Sequence, residues 1–423
     1  MSALILNPTQ KATLDAGFAA AFGGAPERYF SAPGRTEISG NHTDHQRGRV
    51  LAGAVNLDTV AAVKPNGTDL IRIQSKGYPM CQVSIKELTP VASEINSTPA
   101  LIRGVAARFA QLGCDVQGFD AYCESTVLPG SGLSSSAAYE VLIGTIINHM
   151  FFDGRVSQPE IAMIGQFAEN VFFGKPCGLM DQTASAVGGL VTIDFADPEK
   201  PDIRPVKFDF EKCGHALCII DSRADHADLT DEYAAVPGDL KKVCDHFGKA
   251  VTTEIDEADF YAAIPELRAK SGDRAVMRAI HEYNENRRVP QQVKALEDGD
   301  FDTFLRLTKE SGFSSWMYLQ NVIPAGYVDQ QAMAVALGLC EHYLGKIKVA
   351  PPRHAAEESV VPLQRRSPHS LQKLLLQGFA PGIGFVAAPG QLLRPMAGKS
   401  ENHIAPPLRI TNYELQMPVL FLS

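Results

Sequence analysis

Residues 129–138 place a glycine-rich bend directly before a strongly apolar helical pattern, with the sequence Pro-Gly-Ser-Gly-Leu-Ser-Ser-Ser-Ala-Ala. Glycines permit backbone angles and a close approach that a Cβ would exclude, so consecutive amide N–H groups can converge on an anion. The following helix adds partial positive charge at its N-terminus, where serine hydroxyls can cap the helix or face phosphate oxygens. The candidate phosphate-binding residues are Gly130, Ser131, Gly132, Leu133, Ser134, Ser135 and Ser136. The alternative is an ordinary serine-capped turn. A Walker-type site is excluded, because the Lys-Ser/Thr ending is missing.

A second candidate site is the stretch 32–45, which is dense in polar side chains around two glycines. Its ionisable members are Arg35, Glu37, His42, Asp44 and His45. A His-x-Asp pair in a tight loop can hold adjacent sugar hydroxyls, because imidazole and carboxylate offer donors and acceptors at fixed positions. A solvated, charged turn is the alternative interpretation. Two histidines three residues apart with one aspartate form a weak pattern for a metal site.

The third candidate is the stretch 174–185, where Asp181 lies among apolar and small residues. This aspartate could cap a helix over residues 182–187. It could instead be a general base or a partner of Arg35, whose charge would keep the carboxylate ionised. Upstream, Glu169 lies near the end of a predicted helix. It could provide an oxygen ligand for Mg²⁺, or it could be one more exposed helix glutamate.

Composition indicates a globular protein without a membrane or nucleic-acid surface. The 423 residues are 45% hydrophobic, enough for two or three domains. The net charge of −9 argues against a general surface for nucleic acid or anionic lipid. No segment approaches the ~20 apolar residues that span a bilayer, and no signal peptide pattern opens the chain. The eight cysteines form no CxxC pair, which favours reduced thiols. We therefore expect a cytoplasmic protein with small-molecule ligands.

The periodicity of apolar residues predicts a mixed α+β fold. Helical patterns cover 9–22, 98–113, 135–152, 158–173 and much of 229–345. Strand patterns cover residues within 47–88, where an antiparallel sheet is expected, and also 119–126, 190–195 and 216–221. The strand at 119–126 leads directly into the glycine loop.

The last 78 residues differ from the rest of the chain. Residues 346–423 hold nine Lys or Arg, four Glu and no Asp, together with ten of the 27 prolines. With little sustained periodicity, this atypical tail is predicted to be irregular or poorly ordered. The abrupt change near Lys346 would also fit a shifted reading frame.

The three candidate segments, in this order and spacing, resemble the GHMP kinases and among them most closely the galactokinase family. Residues 34–44 resemble the family's sugar motif, residues 129–138 its ATP loop, and residues 177–182 its catalytic segment. The resemblance runs from about residue 28 to 345. It implies a two-domain α+β GHMP kinase fold. Residues 1–195 would form a sugar- and ATP-binding domain like ribosomal protein S5 domain 2, and residues 196–345 a ferredoxin-like α+β domain.

The resemblance also implies a reaction: ATP-dependent phosphorylation of a monosaccharide, D-galactose, at the C1 hydroxyl, with Mg²⁺. Asp181 would receive the proton of that hydroxyl or polarise it, and Arg35 would stabilise the aspartate and the transferring phosphoryl group. The residues implied at the sugar are Asn41, His42, Asp44, Gly178 and Tyr233, and those implied at Mg²⁺ are Ser135 and Glu169. The alternatives are a related kinase for another sugar and a sensor that binds both ligands without turnover.

The chain departs from the family pattern at several positions. Asn41 replaces the usual Glu before His-Thr-Asp, His45 replaces the usual Tyr, and Tyr233 lacks the Arg pair that commonly follows it. An amide at position 41 can bond the sugar's 6-hydroxyl without charge, so the preference for galactose over a 6-substituted relative stays open. A third, glycine-rich family motif is expected shortly after residue 345, and only a weak partial match to it is present at 378–384.

Overall fold

The computed structural model describes residues 6–127, 132–175, 177–210, 216–218, 230–323, 325–326, 328–329, 331–344 and 420–422. Among them the division between Phe208 and Asp209 separates two compact units. The strands are β1 (Arg28–Ser39), β2 (Arg49–Pro65), β3 (Leu70–Ser75), β4 (Cys81–Ser84), β5 (Phe119–Ser125), β6 (Leu190–Asp194), β7 (Asp202–Val206), β8 (Ala216–Cys218) and β9 (Leu420–Leu422). The helices are α1 (Pro8–Phe22), α2 (Thr98–Gln111), α3 (Ser135–Phe151), α4 (Gln158–Phe167), α5 (Met180–Val187), α6 (Thr230–Phe247), α7 (Glu257–Ala262), α8 (Ile264–Lys270), α9 (Asp273–Glu297), α10 (Phe301–Ser314) and α11 (Ala332–Leu344).

The first unit is built on a seven-stranded sheet with the order β4-β3-β5-β2-β6-β7, and β1 pairs with β2. Strand β2 has 17 residues and is long enough to pair with β1, β5 and β6 at once. All pairs in this sheet are antiparallel except β3 with β5, which is parallel. The sheet is therefore mixed rather than purely antiparallel.

Alternating side chains of β2 pack on opposite faces of this sheet, as the pleat of a strand requires. Ala61 and Val63 join the large apolar core that α2, α3 and α4 cover. Val60 and Ala62 point the other way and pack against α1. Met180 and Ala184 of helix α5 belong to a second apolar cluster, which includes residues of β2 and β6. Helices α3 and α5 both pack against β1 and β2.

In the part of the chain that the structure describes, the second unit is helical apart from a short pairing of β8 with β9. Its long helix α9 buries Arg278 completely, at 1% exposure. The guanidinium donates to a carboxylate oxygen of Asp239 on α6, 2.9 Å away, and to the carbonyl of Leu319, 3.0 Å away. Asp239 also accepts from Lys242 and Arg274. This paired cluster holds α6 against α9 within the unit.

Most helices predicted from the sequence are confirmed to within two residues, including α1, α2 and α3. The pattern at 158–173 forms α4, which continues as a π-helical segment, Ala168–Phe173. The alternative of a solvated, charged turn over residues 32–45 is wrong for residues 32–39, which belong to β1. Residues 1–195, 196–345 and 346–423 stay predictions as domains. The tail lies outside the described residues except for β9.

Candidate active site

Strand β1 brings Arg35 against the end of the glycine-serine loop. The backbone N–H of Arg35 donates to the carbonyl of Leu133, 3.0 Å away. The neighbouring Gly34 has little room for a side chain, because a Cβ there would lie 3.0 Å from the same carbonyl and 3.1 Å from Val127. The absence of a side chain at this position thus favours the close approach of strand β1 to the loop.

The guanidinium of Arg35 holds Asp181 in a two-pronged pair. Arg35 Nε donates to Asp181 Oδ1 and Nη2 donates to Oδ2, each at 2.7 Å. The third arm, Nη1, donates to the carbonyl of Gly132 at 2.6 Å. The hydroxyl of Ser134 also donates to Asp181 Oδ2. The strand, the loop and the helix α5 therefore meet at one carboxylate.

Asp181 is held in its ionised form. Burial alone would raise the pKa of this carboxyl, but the charge and hydrogen bonds of Arg35 and the hydroxyl of Ser134 outweigh it. The net result is a pKa of Asp181 below its ordinary value. The side chain keeps 31% exposure, so it is accessible to a substrate.

Asp44 lies in a short 3₁₀ turn, Thr43–Gln46, that is held in place by hydrogen bonds of a buried hydroxyl. The hydroxyl of Thr43 is buried and lies 2.8 Å from the carbonyl of Gly40 and 2.6 Å from that of Arg49. His42 precedes the turn in a left-handed conformation with φ of 66°. Asp44 Oδ1 accepts from the backbone N–H of His45 at 2.9 Å.

The carboxylate of Asp44 occupies the space beside Gly178. A Cβ at residue 178 would lie 2.2 Å from Asp44 Oδ2, so a side chain there would have to displace that carboxylate. Burial raises the pKa of Asp44, His45 opposes this, and the nearby charge of Asp181 raises it further. Asp44 and Asp181 are thus two carboxylates in one electrostatic environment, with pKa values shifted in opposite directions.

Glu169 lies in the π segment and is almost fully buried, at 4% exposure. Its Oε2 accepts from Gln182 Nε2 at 3.0 Å, and its Oε1 lies 3.5 Å from the ammonium of Lys175. The same Gln182 nitrogen donates to Glu140 on α3, also at 3.0 Å. The predicted magnesium ligand therefore belongs to a buried polar cluster rather than to an exposed helix face.

Comparisons with known proteins identify the family. A family model described as the galactokinase galactose-binding signature matches residues 16–65, and one for the N-terminal domain of GHMP kinases matches residues 100–189. The chain is 32% identical over 288 residues to a galactokinase of Streptomyces coelicolor, covering 68% of this chain and 74% of that relative. The chain belongs to the galactokinase family. A galactokinase of Actinobacillus pleuropneumoniae is also 32% identical to this chain over 297 residues. The match covers 70% of this chain and 75% of that relative.

A solved structure supports the same fold. The galactokinase of Lactococcus lactis, crystallised with galactose, superposes with a TM-score of 0.65 at 23% identity, covering 74% of this chain and 81% of its own. The predicted α+β GHMP kinase fold and the resemblance to galactokinases are thus confirmed. The galactose-binding signature includes β1 and the 3₁₀ turn, so it contains both Arg35 and Asp44.

The structure gathers most of the residues that the galactokinase resemblance implied. Gly132, Leu133 and Ser134 line the Arg35–Asp181 pair, and Ser135 and Ser136 open helix α3. Asn41 and His42 precede the turn that carries Asp44. Gly130 and Ser131 lie outside the described residues. Tyr233 belongs to α6 in the second unit and is 56% exposed.

The capping role considered for Asp181 is wrong. Helix α5 begins at Met180, so Asp181 lies in its first turn, and Leu179 occupies the N-cap position. Sequence reasoning also missed Glu140. A glutamate inside a helix whose other buried residues are largely apolar was the available signal, because burial of such a residue requires partners.

Other features of the described chain bear on cofactors. Among the described residues, no group of three or more His, Cys, Asp or Glu could hold a metal ion. Mg²⁺ needs only one or two carboxylates when phosphate oxygens complete its shell, so this does not conflict with Glu169 as a ligand.

No helix in the described ranges has the length and apolar character needed to cross a membrane.

Proposed function

We propose that this chain transfers the γ-phosphoryl group of ATP to the C1 hydroxyl of D-galactose, giving α-D-galactose 1-phosphate and ADP. The observation that carries the proposal is the convergence of Arg35, Asp181 and the loop at Gly132 to Ser134. Phosphoryl transfer depends mainly on positioning and charge stabilisation, and this arrangement supplies a carboxylate, a guanidinium and a glycine-serine loop in contact.

In the proposed reaction Asp181 orients the C1 hydroxyl and receives its proton. Its pKa lies below the ordinary value, so the carboxylate is a weak base at neutral pH and suits a proton transfer that follows formation of the new P–O bond. As the C1 oxygen bonds the γ-phosphorus, the bond to the β-phosphate oxygen breaks and ADP leaves. Arg35 neutralises charge on the carboxylate and on the transferring group.

The sugar would be held by the turn around Asp44. An ionised carboxylate accepts hydrogen bonds from two adjacent hydroxyls, and Gly178 leaves the space in which that carboxylate lies. His42 and Asn41 adjoin this turn and are proposed as further sugar contacts. Tyr233 is proposed at the sugar by family resemblance alone.

Mg²⁺ fits the oxygen donors present. The hydroxyl of Ser135 stands at the start of α3 and the carboxylate of Glu169 has an oxygen near the exposed Lys175, so these two would hold the ion. When bound, Mg²⁺ neutralises phosphate charge and fixes the ATP conformation.

The proposal is tested by identifying the product. Purified protein with ATP, Mg²⁺ and galactose should yield a sugar phosphate whose ³¹P signal couples to the anomeric proton of an α-linked product. A phosphate on C6, or release of inorganic phosphate without a sugar phosphate, would contradict the proposal. A related sugar is the second candidate, since Asn41 removes a charge near the expected position of the 6-hydroxyl.

A further inference from the structure

Three polar side chains form a buried cluster next to Asp181, and no step of the proposed reaction uses two of them. The cluster consists of Glu140 on α3, Glu169 on the π segment and Gln182 on α5. Their exposures are 1%, 4% and 0%. Each belongs to a different helical segment, so the cluster joins three segments of the first unit.

The side-chain nitrogen of Gln182 is the centre of this cluster. An amide NH₂ group has two hydrogens, and here one faces Glu140 and the other faces Glu169, both at 3.0 Å. Helix α4 closes the cluster: a Cβ at Gly165 would lie 3.1 Å from both Gln182 Cγ and Glu140 Oε2. The side chains therefore have little room to adopt another arrangement.

Such a cluster is costly to build, which argues for a role beyond filling space. Burying a carboxyl and an amide in a helical core costs free energy that apolar side chains of equal volume would not incur. The neighbouring buried residues of α3 are apolar, including Ala138, Val141 and Leu142. Glu140 Oε1 and Gln182 Oε1 are buried without a hydrogen-bond partner, so the cluster is not optimised for stability.

The positions of Glu140 and Gln182 in their helices indicate that the cluster fixes the geometry of the site. Glu140 lies in the second turn of α3, the helix that begins at the phosphate loop, and Gln182 directly follows Asp181 in the first turn of α5. A rigid link between these turns fixes how far Asp181 lies from the start of α3. Misplacement by about 1 Å in a reacting group can cost about 100-fold in rate.

We propose that Glu140 and Gln182 are positioning residues, whose hydrogen bond holds helix α5 and its Asp181 in register with the phosphate loop at the start of α3. This inference rests on the proposed kinase function. Neither side chain would touch the substrates; both act through Asp181. Gln182 also donates to Glu169, so its loss would affect that residue too, whereas the hydrogen bond of Glu140 is with Gln182.

The test uses substitutions that separate hydrogen bonding from packing. E140M and Q182M keep the side-chain length but remove the acceptor or the donor, and E140Q keeps an acceptor oxygen. Burial raises the pKa of Glu140 well above its ordinary range, so the neutral amide of E140Q resembles the protonated acid in charge and shape. The matched control is N148A, which removes a buried side chain of α3 that bonds the backbone of Val156.

We expect E140M and Q182M to lower kcat for galactose phosphorylation by about 10- to 100-fold, with KM for galactose changed less than about threefold. E140Q should retain kcat within about threefold. The double variant should lose no more than the more affected single variant, because both remove the same link. N148A should lower the unfolding temperature and leave kcat unchanged.

Several outcomes would overturn the inference. One is an unchanged kcat in E140M and Q182M despite a lowered unfolding temperature, and another is strictly multiplicative losses in the double variant. If E140M does not fold, Q182N, which keeps the amide but shortens the side chain, must show the same selective loss of kcat. A wild-type protein that turns over no sugar would instead refute the proposed function, so the two failures are distinguishable.

Discussion

Arg35 and Asp181 are joined by two hydrogen bonds of 2.7 Å although they lie 146 residues apart in the chain. A planar guanidinium and a carboxylate match each other in this two-pronged geometry, which fixes orientation as well as charge. The remaining arm of Arg35 reaches the carbonyl of Gly132. One side chain thus connects strand β1, helix α5 and the glycine-serine loop, and its geometry should control the reaction.

Arg35→Lys should lower kcat by about 100-fold while the protein stays folded. Lysine keeps the positive charge but has one ammonium in place of the fork, so it cannot hold both oxygens of Asp181 and the loop carbonyl together. Steady-state kinetics with galactose and ATP would measure the effect. An R35K variant with wild-type kcat would show that charge alone suffices.

Gly178→Ala should raise KM for galactose at least about tenfold and leave KM for ATP nearly unchanged. The new Cβ would lie 2.2 Å from Asp44 Oδ2 and must displace that carboxylate. The control is Gly238→Ala in α6, where a Cβ meets no atom within 4 Å. This control should gain up to about 1 kcal/mol of stability and keep both KM values. Equal KM values for galactose in both variants would contradict the proposed role of Asp44.

The pH dependence of kcat/KM for galactose should have an acid limb that belongs to Asp44. The pKa of Asp44 is raised above its ordinary 3.8 and that of Asp181 is lowered, so Asp44 is protonated first as the pH falls. Protonation removes the acceptor for sugar hydroxyls, and kcat/KM falls. With ATP saturating, Asp44→Asn should abolish this limb, even though the variant is less active at every pH. A limb of unchanged position in D44N would assign it to another group.

Asn41→Glu should raise kcat/KM for galactose about fivefold relative to 6-deoxygalactose. A carboxylate accepts a stronger hydrogen bond from the 6-hydroxyl than an amide does, by about 1 kcal/mol. The ratio of the two substrates isolates that contact, because every other interaction is shared. An unchanged ratio would place residue 41 away from the 6-hydroxyl.

The sequence predicts the chemical groups of this site better than the contacts between them. The glycine-serine loop and the Asp181 segment are local patterns, and each is recognisable within about ten residues. The sequence offers the pairing of Arg35 with Asp181 only as one alternative, because the pair depends on how β1 and α5 pack together and spacing in the chain does not determine that.

Strand β1 escaped prediction for a physical reason. Its buried positions alternate correctly, but they include Ala32, Gly34 and Thr36, which are small or polar and therefore do not produce an apolar alternation. Glu140 escaped prediction because α3 is apolar around most of its circumference, so no polar face indicates where a glutamate should point. Both cases are decided by neighbours that are distant in sequence.

The account depends most directly on Asp181, and one assay tests it. ADP release from ATP is followed by a coupled assay against a panel of monosaccharides, with the wild-type protein and Asp181→Ala at equal concentration and confirmed folding. We predict that galactose gives the fastest release and that D181A lowers kcat for galactose at least about 100-fold, since both the carboxylate and its pair with Arg35 are lost. Galactose-dependent ADP release that survives D181A unchanged would contradict the central claim.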